Sequence, residues 1–245
     1  FDVENAEIIE KFSSITGIKE RRYATKDQNS SDLAANAATK AIADSKIDQE
    51  TLDYIIVAHN FGDTPFGSKQ SNSLPSVASK VKAALGIKNP KCVAYDILFG
   101  CPGWIEGVIQ AKAFIKSGMA KKCLVIGTET LSRVVDANDR DSMIFADGAG
   151  ATIIQGSENS GGIMAHESVT YTDNNEVDML FFGDSYKTNN DDQFIKMQGR
   201  KVYEFALSRV PDAMKACLDQ SGTQIQDLKK IFIHQANEKM DEAIV

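Results

Sequence analysis

What this chain has little of narrows the possibilities first. Three histidines and four cysteines, with no C-x-x-C pair among them, give almost no material for a structural zinc site or a disulfide framework. No apolar run reaches the roughly 20 residues that a membrane-spanning helix needs, and the sparse, unpaired cysteines fit a reducing, cytoplasmic setting. Basic charge is short as well. Lys and Arg number 27 against 34 Asp and Glu, a formal net charge of −7, which argues against partners held by neutralised phosphates. Neither nucleic acid nor a membrane is expected. The remaining composition, 42 % hydrophobic and 25 % charged over 245 residues, is that of a globular protein with enough chain for one large or two smaller cores.

What is present centres on one stretch, Tyr95-Asp96-Ile97-Leu98-Phe99-Gly100-Cys101-Pro102-Gly103-Trp104. Residues 92–99 are rich in β-branched and aromatic types and read as a strand. Gly100 permits a sharp turn, and Pro102 suits the first helical position, where its missing N–H costs nothing. The Cys101 sulfur then faces backbone N–H groups and the positive end of a helix dipole, which favour the thiolate, the attacking species in covalent catalysis. Cys92, Cys123 and Cys217 lie in apolar surroundings and read as packed thiols. The helix that follows is apolar nearly all round, from Trp104 to Phe114, with a polar stripe only at Glu106, Gln110 and Lys112. Such a helix is expected to be buried on most sides, between two layers.

Elsewhere, helices are expected over 4–14, 33–43 and 77–85, with Ser30, Ser31 and Asp32 offering cap oxygens to the second. Short apolar runs at 54–58 and 124–126 read as strands covered on both faces. Strands alternating with helices at this spacing predict an α/β protein with a mainly parallel sheet, whose ligands gather beyond the carboxyl ends of the strands, where Cys101 falls. Asp147-Gly148-Ala149-Gly150-Ala151 lacks both the Walker lysine and the dinucleotide spacing and reads as a tight turn before a strand at 152–154. From Asp173 to Asp192, nine of twenty residues are Asp or Asn, a composition that reads as a solvated loop. A helix over 199–218 carries Pro211, where a kink is expected. Ile231-Phe232-Ile233 then reads as a buried strand handing His234 to the next helix. His234 is the second candidate for the chemistry, although His59 also follows an apolar strand.

Taken together, Thr16-Gly17-Ile18-Lys19-Glu20-Arg21, the stretch at Cys101, Asp139-Arg140, Asp147-Gly148-Ala149-Gly150-Ala151, Met197-x-Gly199 and His234-Gln235-Ala236-Asn237 resemble, in that order, the β-ketoacyl-acyl-carrier-protein synthase III family of the thiolase-like condensing enzymes. The resemblance implies an αβαβα layered sandwich of two similar halves, here 1–155 with the nucleophile and 156–245. It also implies a decarboxylative Claisen condensation: Cys101 takes an acyl group from a thioester primer, and the acyl-enzyme condenses with the carbanion made by decarboxylating a malonyl-carrier thioester. His234 resembles one donor to the enolate oxygen. Arg140, Leu74, Phe145 and Asn237 fall at substrate-binding positions, Leu74 in a segment that reaches across a homodimer toward the partner's acyl pocket. No metal or cofactor is implied, only acyl-coenzyme A or acyl-carrier-protein thioesters as substrates.

The departures carry expectations too. The family's second enolate donor, in a glycine-asparagine motif, and its closing glycine-rich segment do not occur between Asn237 and Val245, so the second half is expected to be incomplete in this chain. Lys11 and Ile15 stand where the family often has an aromatic and an arginine that grip the coenzyme A nucleotide, so weak coenzyme A recognition is expected, with Arg200, Lys201 and Lys239 as a basic landing site for an acidic acyl-carrier protein. Hydroxymethylglutaryl synthase-like and head-to-head condensing enzymes use the same cysteine and histidine and are the alternatives within the superfamily. A non-catalytic partner subunit of the same fold is the alternative outside catalysis, and intact Cys101 and His234 argue against it. A papain-like protease lacks support because its cysteine neighbourhood is absent.

Overall fold

A computed structural model describes residues 3–68, 70–158, 161–187 and 191–245. The chain groups into two compact units. One consists of Arg22–Val134 and Ala146–Gly162, the other of Phe1–Arg21, Val135–Phe145 and Ile163–Val245. These units are groupings by contact and are a different division from the two related halves that the resemblance implies.

The first unit is a three-layer α/β/α body. Its sheet has the order β2-β1-β3-β4, built from β1 (Tyr54–His59), β2 (Val93–Leu98), β3 (Lys122–Thr130) and β4 (Asp147–Gln155). β1 pairs in parallel with both β2 and β3, and β4 closes the far edge antiparallel to β3. Alternation along β1 decides the layers. Ile55 and Val57 pack with Ala34 and Ala38 of α2 (Ser30–Ser45) and with Val77, Ala78 and Val81 of α3 (Val77–Ala84). Ile56 points the other way, into a cluster with Val125, Cys123 and Ala111 of α4 (Gly103–Lys116). A strand covered on both faces has to be apolar at every position, which is why 54–58 was recognisable as one.

Three expectations in this unit are corrected. The Asp147–Ala151 segment is strand, not turn: it forms the first half of β4, with Gly148 opposite Glu129 and Gly150 opposite Gly127. Neither glycine adopts a positive φ, and both are exposed. The second helix starts earlier than expected, with Asn29 as its cap and the Asn29 N–H donating to Asp32 Oδ2 at 2.8 Å. Ser30 and Ser31 are therefore inside the first turn, where Ser30 Oγ bonds Thr130 Oγ1 at 2.9 Å and Ser31 donates to Asp63. Third, α4 buries only Gly103, Gly107 and Ala111, while Trp104 and Ile105 are exposed. Its closest approach to the sheet is a stripe of small residues four apart, with Val108, Phe114 and Ile115 packed beside it.

The second unit holds α1 (Asn5–Thr16), the hairpin β5 (Leu180–Asp184) and β6 (Gln193–Met197), α5 (Gly199–Ser221) and α6 (Glu238–Ile244). The hairpin lies in and beside the Asp/Asn-rich stretch read as a loop; residues 188–190 of that stretch lie outside the described residues. Leu180-Phe181-Phe182 supplied the strand-forming run that the surrounding acidic residues masked. α5 is one helix across Pro211. Lys196 Nζ is buried between Asp136 Oδ2 and Asp139 Oδ2, at 2.9 and 3.2 Å. Burial works against both charges, but hydrogen bonds from Lys196, Asn138 and Tyr186 outweigh it and hold Asp136 well below the usual carboxylate range. No strand forms at 231–233, where Phe232 is 88 % exposed. An apolar run becomes a strand only beside backbone groups to pair with, and the one sheet among this unit's described residues is the hairpin, whose β6 also bridges Val135 through Ile195.

Candidate active site

Cys101 lies where the strand-to-helix reading placed it, one residue before the cap. β2 ends at Leu98, the Phe99 N–H continues the ladder by donating to His59 O at 3.1 Å, and Gly103 N–H donates to Gly100 O at 2.7 Å to close the turn. Pro102 is the N-cap of α4 rather than its first helical residue. Cys101 is exposed at that helix N-terminus, so the backbone dipoles there favour its thiolate. Gly100 lies close to Asn60: its φ is not positive, but a Cβ there would stand 3.2 Å from Asn60 Oδ1, so that the Asn60 side chain would have to give.

The other cysteines separate from Cys101 by environment. Cys92 and Cys123 are buried; burial raises the Cys92 thiol pKa and pushes that of Cys123 up to about 12. Thiols held protonated in this way are poor nucleophiles at neutral pH. Cys217 is half-buried on α5. No disulfide joins any of the four.

His59, the histidine that position alone left open, is structural. Its Nδ1 accepts from the Gly62 N–H at 2.9 Å, so the ring proton sits on Nε2, 2.9 Å from Asp96 Oδ2. Asp96 also accepts from the Val77 and Ala78 N–H groups at 2.7 Å each, holding the N-terminus of α3. Next to His59, Asn60 donates from its backbone N–H and its Nδ2 to Glu129 Oε2, at 2.7 and 3.0 Å. Glu129 Oε1 is buried without a hydrogen-bond partner among the described residues. Sequence pattern did not single out Asn60 or Glu129; the available signal was that each lies at or just past the carboxyl end of a fully apolar parallel strand.

Leu74 is 85 % exposed. Within the second unit, His234 and Gln235 are exposed and precede α6, whose cap is Asn237, with Oδ1 accepting from the Met240 N–H at 3.0 Å. That bond commits the Asn237 oxygen to the helix and leaves its amide N–H groups for any other role. Arg140 is exposed and opens a 3-10 turn that ends before half-buried Phe145. It lines a depression of about 450 Å³ with Asn138, Asp139, Asp141, Tyr186 and Lys187. Lys11 and Ile15 are both exposed on α1. Gly17 caps that helix with φ 73°, and a Cβ there would collide with Glu238, which gives the Thr16-Gly17-Ile18 motif its physical reason. Arg200 is tied to Glu204 on its own helix at 2.9 Å, while Lys201 and Lys239 are exposed. Among the described residues no group of three or more His, Cys, Asp or Glu could hold a metal ion, and no helix is long and apolar enough to cross a membrane.

The chain is similar to known proteins in sequence and in fold. The profile of the 3-oxoacyl-[acyl-carrier-protein] synthase III family matches residues 95–173, the segment that includes most of β2, Cys101, α4, β3 and β4. The β-ketoacyl-[acyl-carrier-protein] synthase III of Fusobacterium nucleatum is 37 % identical over 235 residues, covering 93 % of this chain and 69 % of its own length. That of Clostridium acetobutylicum is 39 % identical over 241 residues, covering 95 % and 70 %. Among solved structures, the synthase III of Thermus thermophilus superposes with a TM-score of 0.80 at 30 % identity, covering 99 % of this chain and 75 % of that one. The enzyme from Pseudomonas aeruginosa gives 0.78 at 28 %, covering 99 % and 70 %. The fold is thus the thiolase-like α/β fold of those structures, and the chain belongs to the β-ketoacyl-[acyl-carrier-protein] synthase III family.

Proposed function

We propose that this protein is an acyltransferase that condenses an acyl thioester primer with malonyl-acyl-carrier protein, in fatty acid synthesis or a related pathway. The observation that carries the reading is Cys101, exposed on the turn between a parallel strand's carboxyl end and a helix N-terminus, in a chain of this family. The Cys101 thiolate attacks the primer's carbonyl carbon, and the carrier or coenzyme A thiolate leaves. The malonyl thioester then loses carbon dioxide, and the resulting enolate carbon attacks the acyl-Cys101 carbonyl. The new carbon–carbon bond forms as the Cys101 thiolate departs. His234 donates a hydrogen bond to the enolate oxygen, where charge develops and a fixed donor stabilises it most. Asn237, Phe145, Arg140 and Leu74 bind substrate, and no cofactor takes part.

The two related halves, 1–155 and 156–245, are part of the same proposal, as are cytoplasmic location and a homodimer. In favour of the dimer, β2 is an edge strand whose outer side meets no other strand among the described residues, and Val93, Leu98 and Phe99 are exposed along it. Open apolar edges are rarely left uncovered. The primer arrives on acyl-carrier protein rather than coenzyme A, with Lys201 and Lys239 the stronger docking charges, because Glu204 already engages Arg200.

The assay supplies a short acyl thioester and malonyl-acyl-carrier protein, and reads carbon dioxide release together with the β-ketoacyl-carrier product. Both should appear and both should vanish in Cys101→Ala. Acylation of Cys101 without carbon dioxide release, when an acetoacetyl thioester is condensed instead, would favour the hydroxymethylglutaryl synthase-like reading. No acylation with any thioester would favour the non-catalytic subunit.

A further inference from the structure

Three parallel strands end side by side in the order β2, β1, β3, and the residues at or just beyond their ends are Gly100, Asn60 and Glu129. Asn60 spans them. Its backbone N–H and its Nδ2 both donate to Glu129 Oε2, and the same amide group lies against the turn, with Oδ1 3.2 Å and Nδ2 3.6 Å from where a Gly100 Cβ would be. The turn on that side has no side chain of its own at Gly100, and its backbone is tied by hydrogen bonds from Phe99 to His59 and from Gly103 to Gly100. On the other side, the carboxyl group that anchors Asn60 keeps one oxygen buried without a partner among the described residues, an arrangement that costs stability and that an apolar side chain would avoid.

We propose that Asn60, anchored by Glu129, is a positioning residue for the nucleophile: the pair forms a strut across three strand ends that fixes the turn carrying Cys101. This rests on the reading of Cys101 as the acylated thiol. A reacting atom on a turn needs its supports locked by hydrogen bonds from rigid elements, and β1 and β3 are the most buried strands of the sheet. Burial raises the Glu129 pKa against the opposing pull of the Asn60 donors and of His59.

The test measures, in the purified protein, the rate at which a short acyl thioester modifies Cys101 and the rate of its alkylation by iodoacetamide, in wild type, Asn60→Ala, Glu129→Ala and Glu129→Gln. Thermal unfolding is followed in parallel. Asn60→Ala and Glu129→Ala should slow acylation about 10- to 100-fold, the scale set by a reacting group displaced by an ångström or so. Glu129→Gln keeps an acceptor oxygen for Asn60 and should recover most of the rate. The double alanine variant should be no slower than the slower single one, since a strut breaks once. Where Glu129→Ala does not fold, Asn60→Ala decides, because its side chain is only partly buried. Wild-type acylation in a folded Asn60→Ala variant, or a Glu129→Gln variant as slow as Glu129→Ala, would overturn the strut. If Cys101 of the wild type stayed unmodified, the nucleophile reading itself would fall; fast wild-type labelling with indifferent variants would remove only the strut.

Discussion

A Cβ placed on Gly107 would stand 2.7 Å from Val125 Cγ1. The same close approach recurs one turn earlier, where a Cβ on Gly103 would stand 2.7 Å from the Ala58 Cβ. These two glycines let α4 settle onto β1 and β3 and so fix how far the helix N-terminus, with Cys101 before it, stands from the sheet. Gly107→Ala forces either the helix outward or Val125 off its rotamer, and overpacking of this kind costs about 1–3 kcal/mol. Urea unfolding should show that loss, and acylation of Cys101 should slow in the variant that still folds. An unchanged unfolding midpoint would mean that the helix does not rest on that contact.

Asp96 predicts how stability depends on acid. Burial alone would raise its carboxyl pKa, but hydrogen bonds from His59 and from the Ala78 and Val77 N–H groups outweigh it and hold the pKa below the ordinary 3.8. A carboxylate depressed in the folded state contributes stability that is complete above its ordinary value and is lost as pH falls through the lowered one. Asp96→Asn should therefore be less stable at neutral pH and should flatten the part of the stability profile below about pH 3.8. Denaturant unfolding across that range decides it. A parallel downward shift with the acid slope intact would assign the slope to other carboxylates, Asp136 first.

The first unit was legible because its physics is local and repeated. Ile55, Ile56 and Val57 are apolar in succession, which only a strand covered on both faces tolerates, and Gly100-Cys101-Pro102 announces a strand turning into a helix. The stripe of Gly103, Gly107 and Ala111 was there to be read, but Trp104 and Ile105, both exposed, weigh heavily in the hydrophobic pattern and pointed to the wrong face. The first half of β4 was read as a turn because glycine and alanine have low strand propensity, which the long pairing with β3 overrides. At the candidate site, Cys101 was visible by its turn chemistry. Asn60 and Glu129 were not, because their relationship depends on which strands become neighbours, and order across a sheet is not written in local pattern. His59 could be judged only once Asp96, 37 positions away, was seen beside it.

Leu74 separates packing from specificity. At 85 % exposure it buries little within this chain, so Leu74→Ala should change the stability of the monomer by no more than about 0.5 kcal/mol. If the side chain reaches a partner's acyl pocket, the same substitution should shift the primer profile toward bulkier acyl groups, each added methylene being worth roughly 0.8 kcal/mol when buried. Competition between primers of increasing size reads this out. An unchanged profile in an intact dimer would leave Leu74 without a role in selecting the primer.

The central claim, that Cys101 is the residue acylated, is tested most directly by mass spectrometry of the protein after incubation with a panel of acyl thioesters at neutral pH, followed by peptide mapping. The account predicts one acyl group per chain, on the peptide containing Cys101, with Cys92 and Cys123 unmodified because burial keeps their thiols protonated. Acylation first at Cys92, Cys123 or Cys217, with Cys101 untouched in the folded protein, would contradict it.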